Sequence, residues 1–225
     1  SLQEIYGSLT PSEALARAEQ ALSRALTLDE SLAEAHASLA SNVLERQWNW
    51  DAAQREYRRA LEIHPGDATV RCWYGTFLMQ LGRYDEALAQ IRRALDLDPL
   101  SPYVASSYGW VLTQGRRYED AATHLRQALE LDPEDASIHR NLAYAYAFMG
   151  RFRQAEATAR KAQALGKSDV PSEAVGYVEG RAGKKQAARS TIVRLVELWG
   201  EGKGSPARIA VVYLGLGERE QALQW

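Results

Sequence analysis

The sequence predicts an all-α fold, a solenoid built from antiparallel pairs of helices. Three observations favour it: a repeat period of about 34 residues, small residues at fixed places in each repeat, and apolar residues at helical spacing between them. A fixed period of this length indicates units that each pack on their neighbours. The chain is 46% hydrophobic and 25% charged, which is typical of a soluble, packed protein and excludes a disordered or fibrous chain.

The repeat is defined by four columns of residues that share one register. They are a set of prolines, two sets of alanines and one set of aromatic residues. Their members, which recur at the same constant step in every column, are Pro65, Pro99 and Pro133; Ala53, Ala87, Ala121 and Ala155; Ala60, Ala94, Ala128 and Ala162; and Trp50, Tyr84, Tyr118 and Phe152. Agreement of independent columns over successive units is not chance, so these units share one local structure.

Each column has a physical explanation in a pair of helices. Small residues, such as Gly75 on a first helix and Ala87 on a second, let two backbones approach to the short end of about 8 to 10 Å. Larger residues such as Leu78 and Ile91 lie three or four positions away and form the apolar core. Each proline lies just beyond a helix end, because proline cannot continue the helix. The array is therefore expected to bend into a superhelix.

One segment carries a resemblance to a known family. The stretch YGTFLMQLGRYDEALAQIRRALDLDP, residues 74–99, resembles the tetratricopeptide repeat (TPR), with a Gly-x-Tyr turn at Gly82 and Tyr84, then Ala87 and Pro99. The resemblance implies that the solenoid is a right-handed TPR superhelix in which the first helix of each pair lines a concave surface. It also implies a non-catalytic scaffold that binds another protein or a peptide in that groove.

The register predicts a single array over the whole chain. Its predicted parts are a capping segment with a first helix at 1–31, repeats at 32–66, 67–100, 101–134 and 135–168, a degenerate repeat at 169–202 and a truncated repeat at 203–225. The first helix is predicted from Pro11 to Leu28, with Thr10 as its N-cap.

The pattern weakens beyond residue 165. Lys167 stands where the earlier repeats have proline, and Glu179 and Leu195 depart from the small or apolar pattern. The glycine-rich stretch 200–204 is predicted to be a flexible joint. The repeat pattern therefore does not predict how regularly the C-terminal part packs.

Neither a catalytic site, a cofactor site nor a metal site is predicted. The histidines fall in separate repeats without the spacing of metal ligands: His36, His64, His124 and His139. The glycines of 202–204 and 215–217 lack the partners that a P-loop or a dinucleotide fingerprint requires. We expect a protein that is not an enzyme and needs no cofactor.

The charge pattern argues against binding of nucleic acid or membranes. The formal net charge is −2, from 27 basic and 29 acidic residues. Basic pairs do recur on the second helices, at Arg58-Arg59, Arg92-Arg93, Arg126-Gln127 and Arg160-Lys161. An RNA or DNA surface is one interpretation of this ridge. We favour a solvated face, because acidic residues four positions later would form helical ion pairs, as for Arg58 with Glu62 and Arg126 with Glu130.

The inner face carries the predicted binding site. The resemblance places there a mixture of aromatic, arginine and hydrogen-bonding residues: Asn42, Cys72, Thr76, Met79, Tyr103, Ser106, Trp110, Arg140, Asn141, Tyr144, Phe148, Tyr177 and Arg181. Such a mixture suits recognition of a peptide. The alternative for Trp110 and Tyr144 is that they only fill space between repeats. The clamp with which some family members hold chaperone carboxylates is absent, since Ser38 stands at its lysine position.

The function predicted is a protein-interaction module of a larger signalling or regulatory protein. Residues 47–75 and 205–223 resemble repeat tracts of bacterial winged-helix regulators, cyclases and Ser/Thr kinases. Alternatives are self-association through the solenoid ends and a substrate-docking tract of an enzyme. The lone Cys72 and the lack of a long apolar run or signal peptide favour the cytoplasm. The chain starts at Ser1 without methionine and stops within a helical pattern, so further domains are expected.

Overall fold

The structure, a computed structural model, describes residues 11–166 and 171–225 and is helical, without strands, over those ranges. Within them lie α1 (Pro11–Leu28), α2 (Ala33–Gln47), α3 (Trp50–Ile63), α4 (Ala68–Gln80), α5 (Tyr84–Leu97), α6 (Pro102–Gln114), α7 (Tyr118–Leu131), α8 (Ala136–Phe148), α9 (Phe152–Leu165), α10 (Glu173–Arg181), α11 (Lys185–Gly200), α12 (Pro206–Leu216) and α13 (Arg219–Leu223). The predicted all-α fold is confirmed. Thr10 and Lys167, to which two predictions refer, lie outside the described residues.

The first compact unit, Ser1–Pro99, contains α1 to α5. In it α1 packs on α2, α2 on α3 and α4 on α5, while α4 also contacts α2 and α3. Short loops join these neighbours, so each pair runs antiparallel. Its buried core includes an aromatic group: the ring centroid of Phe77 lies 5.4 Å from that of Tyr57 and 6.1 Å from that of Tyr74.

The second compact unit, Leu100–Trp225, contains α6 to α13. The pairs are α6 with α7, α8 with α9, α10 with α11, and α12 with α13. Each first helix also packs on the first helix of the next pair, as α6 does on α8 and α10 on α12. The second unit is therefore itself a stack of helix pairs, and the single array over the entire chain stays a prediction.

Side-chain caps explain where four of the helices begin. The residue before α3, α4, α6 and α8 accepts a hydrogen bond from the backbone N–H three positions later, which satisfies one of the unpaired donors of the first turn. The donor and acceptor residues are Ala52 and Asn49 (3.1 Å), Val70 and Asp67 (2.9 Å), Val104 and Ser101 (3.4 Å), and Ile138 and Asp135 (2.7 Å). These boundaries are encoded locally in the sequence.

A left-handed residue follows the first helix in several pairs. It is glycine at Gly82 and Gly150, each with φ of +73°, but a residue with a side chain at Trp48 (φ +51°) and Arg116 (φ +61°). The N–H of Gly82 and the N–H of Arg116 each donate to the carbonyl three residues earlier, at 2.9 and 3.1 Å. The turns are thus equivalent, and only glycine adopts this conformation without a steric cost.

Replacing Arg116 with glycine should therefore stabilise the second unit. We expect the free energy of unfolding to rise by about 1 kcal/mol, because the left-handed conformation of a residue with a Cβ is relieved. Urea denaturation followed by circular dichroism measures the change. The control is Arg116→Ala, which removes the same charge but keeps the Cβ, and an equal gain in that variant would contradict the explanation.

Glycines let the two helices of a pair approach closely, as the period indicates. A Cβ on Gly75 would lie 2.4 Å from Cγ1 of Ile91 and 3.1 Å from the carbonyl oxygen of Ala87. A Cβ on Gly109 would lie 2.4 Å from Cγ of Leu125. Neither position has room for a methyl group, so both glycines are needed for contact between the helices and not for a turn.

The C-terminal helices α11 and α12 share a buried core, which the weakened repeat pattern did not indicate. A buried apolar cluster joins α11 and α12; its members are Ala188, Ile192, Leu195, Ile209 and Val212. Leu195, which departs from the small-residue pattern, is 3% exposed and belongs to this core. The larger side chain is accommodated because the core here is built from branched residues of both helices.

Glycines also set the distance between α10 and α12. A Cβ on Gly215 would lie 2.5 Å from the carbonyl oxygen of Tyr177, and one on Gly180 would lie 2.7 Å from the carbonyl carbon of Gly215. The two first helices therefore touch through their backbones. The repeat pattern did not predict this contact.

Glu179 is a buried charge that the fold satisfies with an ion pair. It is 5% exposed, and its Oε1 accepts a hydrogen bond from Nη2 of Arg160 at 2.8 Å. Arg160 also reaches Glu156 at 3.1 Å, and Glu156 pairs with Lys184 at 2.6 Å. Burial raises the pKa of Glu179, while the arginine opposes that shift. The polar residue in a small-residue column is thus paired rather than left unsatisfied.

The ion pairs predicted on the second helices do not form for two of the arginines, so the prediction is wrong there. Nε of Arg58 donates to the hydroxyl of Tyr74 at 3.3 Å, and Nε of Arg126 donates to the carbonyl of Ala122 at 3.2 Å. Neither meets the acidic residue one turn later. Arg58 instead bonds to a hydroxyl on the first helix of the next repeat, and Arg126 bonds to a carbonyl of its own helix.

Candidate functional site

Aromatic side chains from four helices of the second unit form one continuous cluster. The ring centroid of Tyr144 lies 5.6 Å from that of Trp110 and 5.3 Å from that of Tyr177. Phe148 extends the row, 6.0 Å from Tyr177 and stacked on Tyr118 at 5.2 Å. We call these five residues the aromatic cluster. Centroid separations of about 4.5 to 7 Å are those at which aromatic pairs attract one another, by about 1 kcal/mol.

Helical spacing explains why these residues meet. Arg140, Tyr144 and Phe148 are successive members of one row on α8, four residues apart, so they share a face. Tyr177 and Arg181 have the same spacing on α10. Two neighbouring first helices thus present parallel rows of aromatic residues and arginine.

The aromatic cluster has a buried floor and more exposed edges. Tyr144 and Tyr177 are 8% and 7% exposed, whereas Trp110 is half-buried and Phe148 is 36% exposed. On α6, Tyr103 is 50% exposed. Both interpretations made from the sequence therefore apply in part, because the tyrosines fill space between repeats while the tryptophan and phenylalanine keep surface that a ligand can contact.

Burial also determines the protonation state of Tyr144 and Tyr177. Desolvation raises the pKa of Tyr144, and the nearby carboxylate of Glu173 raises it further, against smaller opposing effects of Arg140 and Arg208. Desolvation raises the pKa of Tyr177 as well. Both hydroxyls stay neutral and can donate hydrogen bonds.

Two predicted site residues of this unit face into the protein. Asn141 and Ser106 are 8% and 6% exposed, and Nδ2 of Asn141 donates to the hydroxyl and the carbonyl of Ser106 at 2.9 and 3.1 Å. This corrects the predicted list: the pair joins α6 to α8 and is not offered to a ligand.

The predicted site residues of the first unit are mostly internal too. Cys72 is fully buried, and Asn42 is 5% exposed, with its Nδ2 donating to the carbonyl of Leu15 at 2.9 Å. Both are therefore corrections to the predicted list. The half-buried Thr76 donates to the Cys72 carbonyl at 3.0 Å, and Met79 is also half-buried. The structure does not gather these four residues into a site.

The arginines near the aromatic cluster differ in how the fold holds them. Arg140 and Arg181 are exposed and have no hydrogen-bond or ion-pair partner among residues 11–166 and 171–225. Arg208 is different, since its Nε donates to Glu173 at 2.8 Å and its Nη2 donates to the carbonyl of Pro171 at 2.9 Å. The guanidinium group of Arg208 is thus held in place, whereas the other two project from their helices.

A cavity lies beside this row. Its volume is about 270 Å³, and residues of α8, α9, α10 and α12 line it, among them Arg140, Gln163, Glu173 and Arg208. Sequence reasoning missed Glu173 and Arg208, and it treated Tyr118 only as a member of the aromatic column. Its place in that column was the only feature of the sequence that pointed to Tyr118. No feature pointed to Glu173 or Arg208, because both belong to irregular repeats.

Among the described residues, the histidines and acidic side chains are not grouped as metal ligands. Within the described ranges, no group of three or more His, Cys, Asp and Glu residues could hold a metal ion. His36 contacts Glu56 at 2.6 Å, and His124 and His139 contact backbone carbonyls at 3.1 and 3.0 Å. A membrane-spanning helix, long and apolar enough, does not occur in the described part of the chain.

Several solved structures share the fold. PilW, described as a widely conserved type IV pilus biogenesis factor, matches with a TM-score of 0.69 and 22% identity over 84% of this chain and 87% of its own. A TPR protein of Thermus thermophilus matches with a TM-score of 0.69 and 19% identity over 86% and 100%. YrrB, a TPR protein with an unusual peptide-binding site, matches with a TM-score of 0.52 and 22% identity over 70% and 80%. At these identities the likeness shows the fold alone.

Family comparisons agree with the structures. No curated protein sequence matches the chain. Three sequence models of the family do match: two described as tetratricopeptide repeat, at residues 38–102 and 136–165, and one as TPR repeat, at residues 109–150. Together they cover more than half of the chain, and the match at residues 136–165 lies within the predicted repeat 135–168. The chain belongs to the tetratricopeptide-repeat family.

Proposed function

We propose that this chain is a non-catalytic scaffold that binds a peptide or protein segment of a partner at the aromatic cluster of its second unit. The observation that carries the proposal is the combination of a buried floor, Tyr144 and Tyr177, with accessible edges at Trp110 and Phe148. Rigid aromatic residues and arginine supply most of the binding energy in many protein interfaces.

The physical argument is one of preorganisation. The rings of the aromatic cluster hold one another in place through centroid contacts of 5.6, 5.2, 5.3 and 6.0 Å, so little side-chain entropy is lost when a ligand packs on their edges. Arg140 and Arg181 lie one helical turn from a cluster tyrosine and offer donors that can fix the register of a bound chain. YrrB supports the proposal, since a peptide-binding site exists on a related fold.

The wider setting is part of the same proposal. We take the chain to be the docking part of a larger bacterial signalling or regulatory protein of the cytoplasm, on the resemblance of residues 47–75 and 205–223 to the repeat tracts of such proteins. A substrate-docking tract of an enzyme is the alternative. Affinity capture with this domain followed by mass spectrometry distinguishes the two, because the second requires an enzyme substrate among the captured proteins.

Self-assembly is a second candidate, favoured by one observation. The last helices carry exposed apolar side chains, among them Val193 (59%), Trp199 (45%), Leu214 (48%) and Leu223 (87%). Exposed apolar side chains can associate with a second copy where they lie together on the surface. Light scattering over a concentration series tests it: a mass that stays at 25.1 kDa would contradict self-assembly.

Binding at the aromatic cluster predicts a large effect of one substitution. In Trp110→Ala, we expect peptides selected on the wild-type protein from a random display library to bind about thirtyfold more weakly. Loss of an aromatic anchor at the centre of an interface costs about 2 kcal/mol. Fluorescence anisotropy with a labelled selected peptide measures the dissociation constant, and circular dichroism verifies that the variant is folded.

The matched control is Trp199→Ala, which removes another partly exposed tryptophan of the same unit, on α11 and outside the aromatic cluster. Its affinity should equal that of the wild type. Equal losses in both variants, or no selected peptide at all with the wild-type protein, would contradict the proposed site.

A further inference from the structure

The aromatic cluster carries polar groups that the fold itself does not use. The indole N–H of Trp110 and the hydroxyls of Tyr118 and Tyr177 form no hydrogen bond with any residue that the structure describes. Among the described residues, the side-chain polar atom that is both buried and unpaired is Oδ1 of Asn42, which lies in the other unit. The three polar groups of the aromatic cluster are therefore accessible, and a ligand can bond to them.

These groups are mainly hydrogen-bond donors. An indole N–H can only donate, and a phenol hydroxyl has one proton to donate. Desolvation raises the pKa of Tyr177, against a smaller opposing effect of Arg181, so the Tyr177 hydroxyl keeps its proton. Arg181 lies one turn later on α10, is exposed, and also has donors only. This face thus offers a ligand several N–H and O–H groups beside an aromatic surface.

The backbone of a bound segment has to match these donors. A helix bonds its own carbonyl groups internally, so a helix packed on the aromatic cluster would cover the donors without giving them acceptors. An ordinary extended segment has free carbonyl groups, but it also has N–H groups, for which the aromatic cluster has only phenol oxygens as acceptors. A proline-rich segment has free carbonyl groups and few N–H groups. Its backbone is therefore the best match for a surface of donors.

We propose that the partner segment bound at the aromatic cluster is rich in proline and adopts the polyproline II conformation. The inference rests on the proposed function and names the chemistry of the ligand. Proline rings pack on the exposed edges of Trp110 and Phe148, while backbone carbonyl groups accept hydrogen bonds from the unpaired donors. Polyproline II is already extended before binding, so little backbone entropy is lost. Like-charge repulsion from Arg181 disfavours lysine or arginine in the bound segment.

Selection from a random peptide library, joined to its carrier through the C-terminus, tests the composition of the ligand. It is carried out on the wild-type protein and on the double variant Tyr118→Phe/Tyr177→Phe, which removes two hydroxyls but keeps both rings. The matched control is Tyr84→Phe, because Tyr84 is 37% exposed and occupies the same column of the repeat as Tyr118, in the first unit. Selected peptides are then synthesised with an acetylated N-terminus and an amidated C-terminus, so that terminal charges do not contribute.

With the wild type and Tyr84→Phe, we expect enrichment of prolines about three residues apart, because polyproline II has about three residues per turn. Replacing these prolines with alanine should weaken binding of the capped peptides to the wild type about tenfold, since each alanine adds an N–H group and loosens the extended conformation. The double variant should bind the proline-containing peptides about tenfold more weakly, as expected for the loss of two neutral hydrogen bonds. Fluorescence anisotropy measures these dissociation constants.

Two results would overturn the inference while the proposed function stands: peptides selected on the wild type without enrichment of proline, or equal affinity of the proline-containing peptides for the wild type and the double variant. Failure of the wild-type protein to select any peptide would overturn the proposed function itself, and the proline specificity with it. Circular dichroism verifies that the double variant is folded. The selection on the wild type does not depend on that variant, so it tests the inference in either case.

Discussion

Replacing Gly215 with alanine is expected to destabilise the C-terminal helix pairs by about 2 kcal/mol. The new Cβ would lie 2.5 Å from the carbonyl oxygen of Tyr177 and 2.6 Å from its Cα. A backbone neighbour cannot rotate away as a side chain can, so α10 and α12 must separate. The expected cost remains after the gain of up to about 1 kcal/mol that alanine brings to a helix.

Native-state hydrogen exchange measures this effect where it occurs. In a stack of repeats the outer units open separately. In Gly215→Ala we therefore expect the amide protons of α12 to exchange faster than those of α6. Gly200→Ala is the control, because Gly200 is also helical but a Cβ there meets nothing within 4 Å. If the protection of α12 were the same in Gly215→Ala as in Gly200→Ala, the close approach would not limit stability.

Shortening Leu125 to alanine is expected to lower the free energy of unfolding of the second unit by about 3 kcal/mol. Leu125 is fully buried against Gly109 on the paired helix, so the truncation removes core contacts and leaves a cavity. Urea denaturation monitored by circular dichroism measures the change.

Addition of Gly109→Ala should recover part of that loss. In the wild-type protein the new methyl group would lie 2.4 Å from Leu125, so Gly109→Ala alone should destabilise. In the Leu125→Ala background the same methyl group enters the cavity and fills part of it. A double-mutant cycle with strictly additive effects would contradict the direct contact on which this expectation depends.

The predicted helices rest on information that is local in the sequence. Asp67 and Asp135 cap the helices that follow them, and Pro102 stands at the first position of α6. Capping, proline placement and apolar spacing act within a few residues, so a single sequence reveals them. The constant period then repeats the signal and identifies the family.

The candidate site was only partly predictable, because position on a first helix does not decide exposure. Trp110 and Tyr144 were both expected on the inner face, yet one is half-buried and the other is 8% exposed. Cys72 is fully covered. Which side chain of a row reaches the surface depends on the size of residues on the neighbouring helix, and that information is distant in the sequence.

The sequence by itself determined the repeat period, the all-α fold and the family, since these depend on short-range rules applied once per unit. Only the tertiary structure decided that Tyr144 and Tyr177 join in one aromatic cluster, that Gly215 touches Tyr177, and that Arg208 meets Glu173 in the cavity that Arg140 also lines. These contacts join different helix pairs, where the irregular C-terminal repeats shift the register. The physical reason is that packing between repeats depends on side-chain volume and charge at pairs of positions, which a pattern within one repeat does not contain.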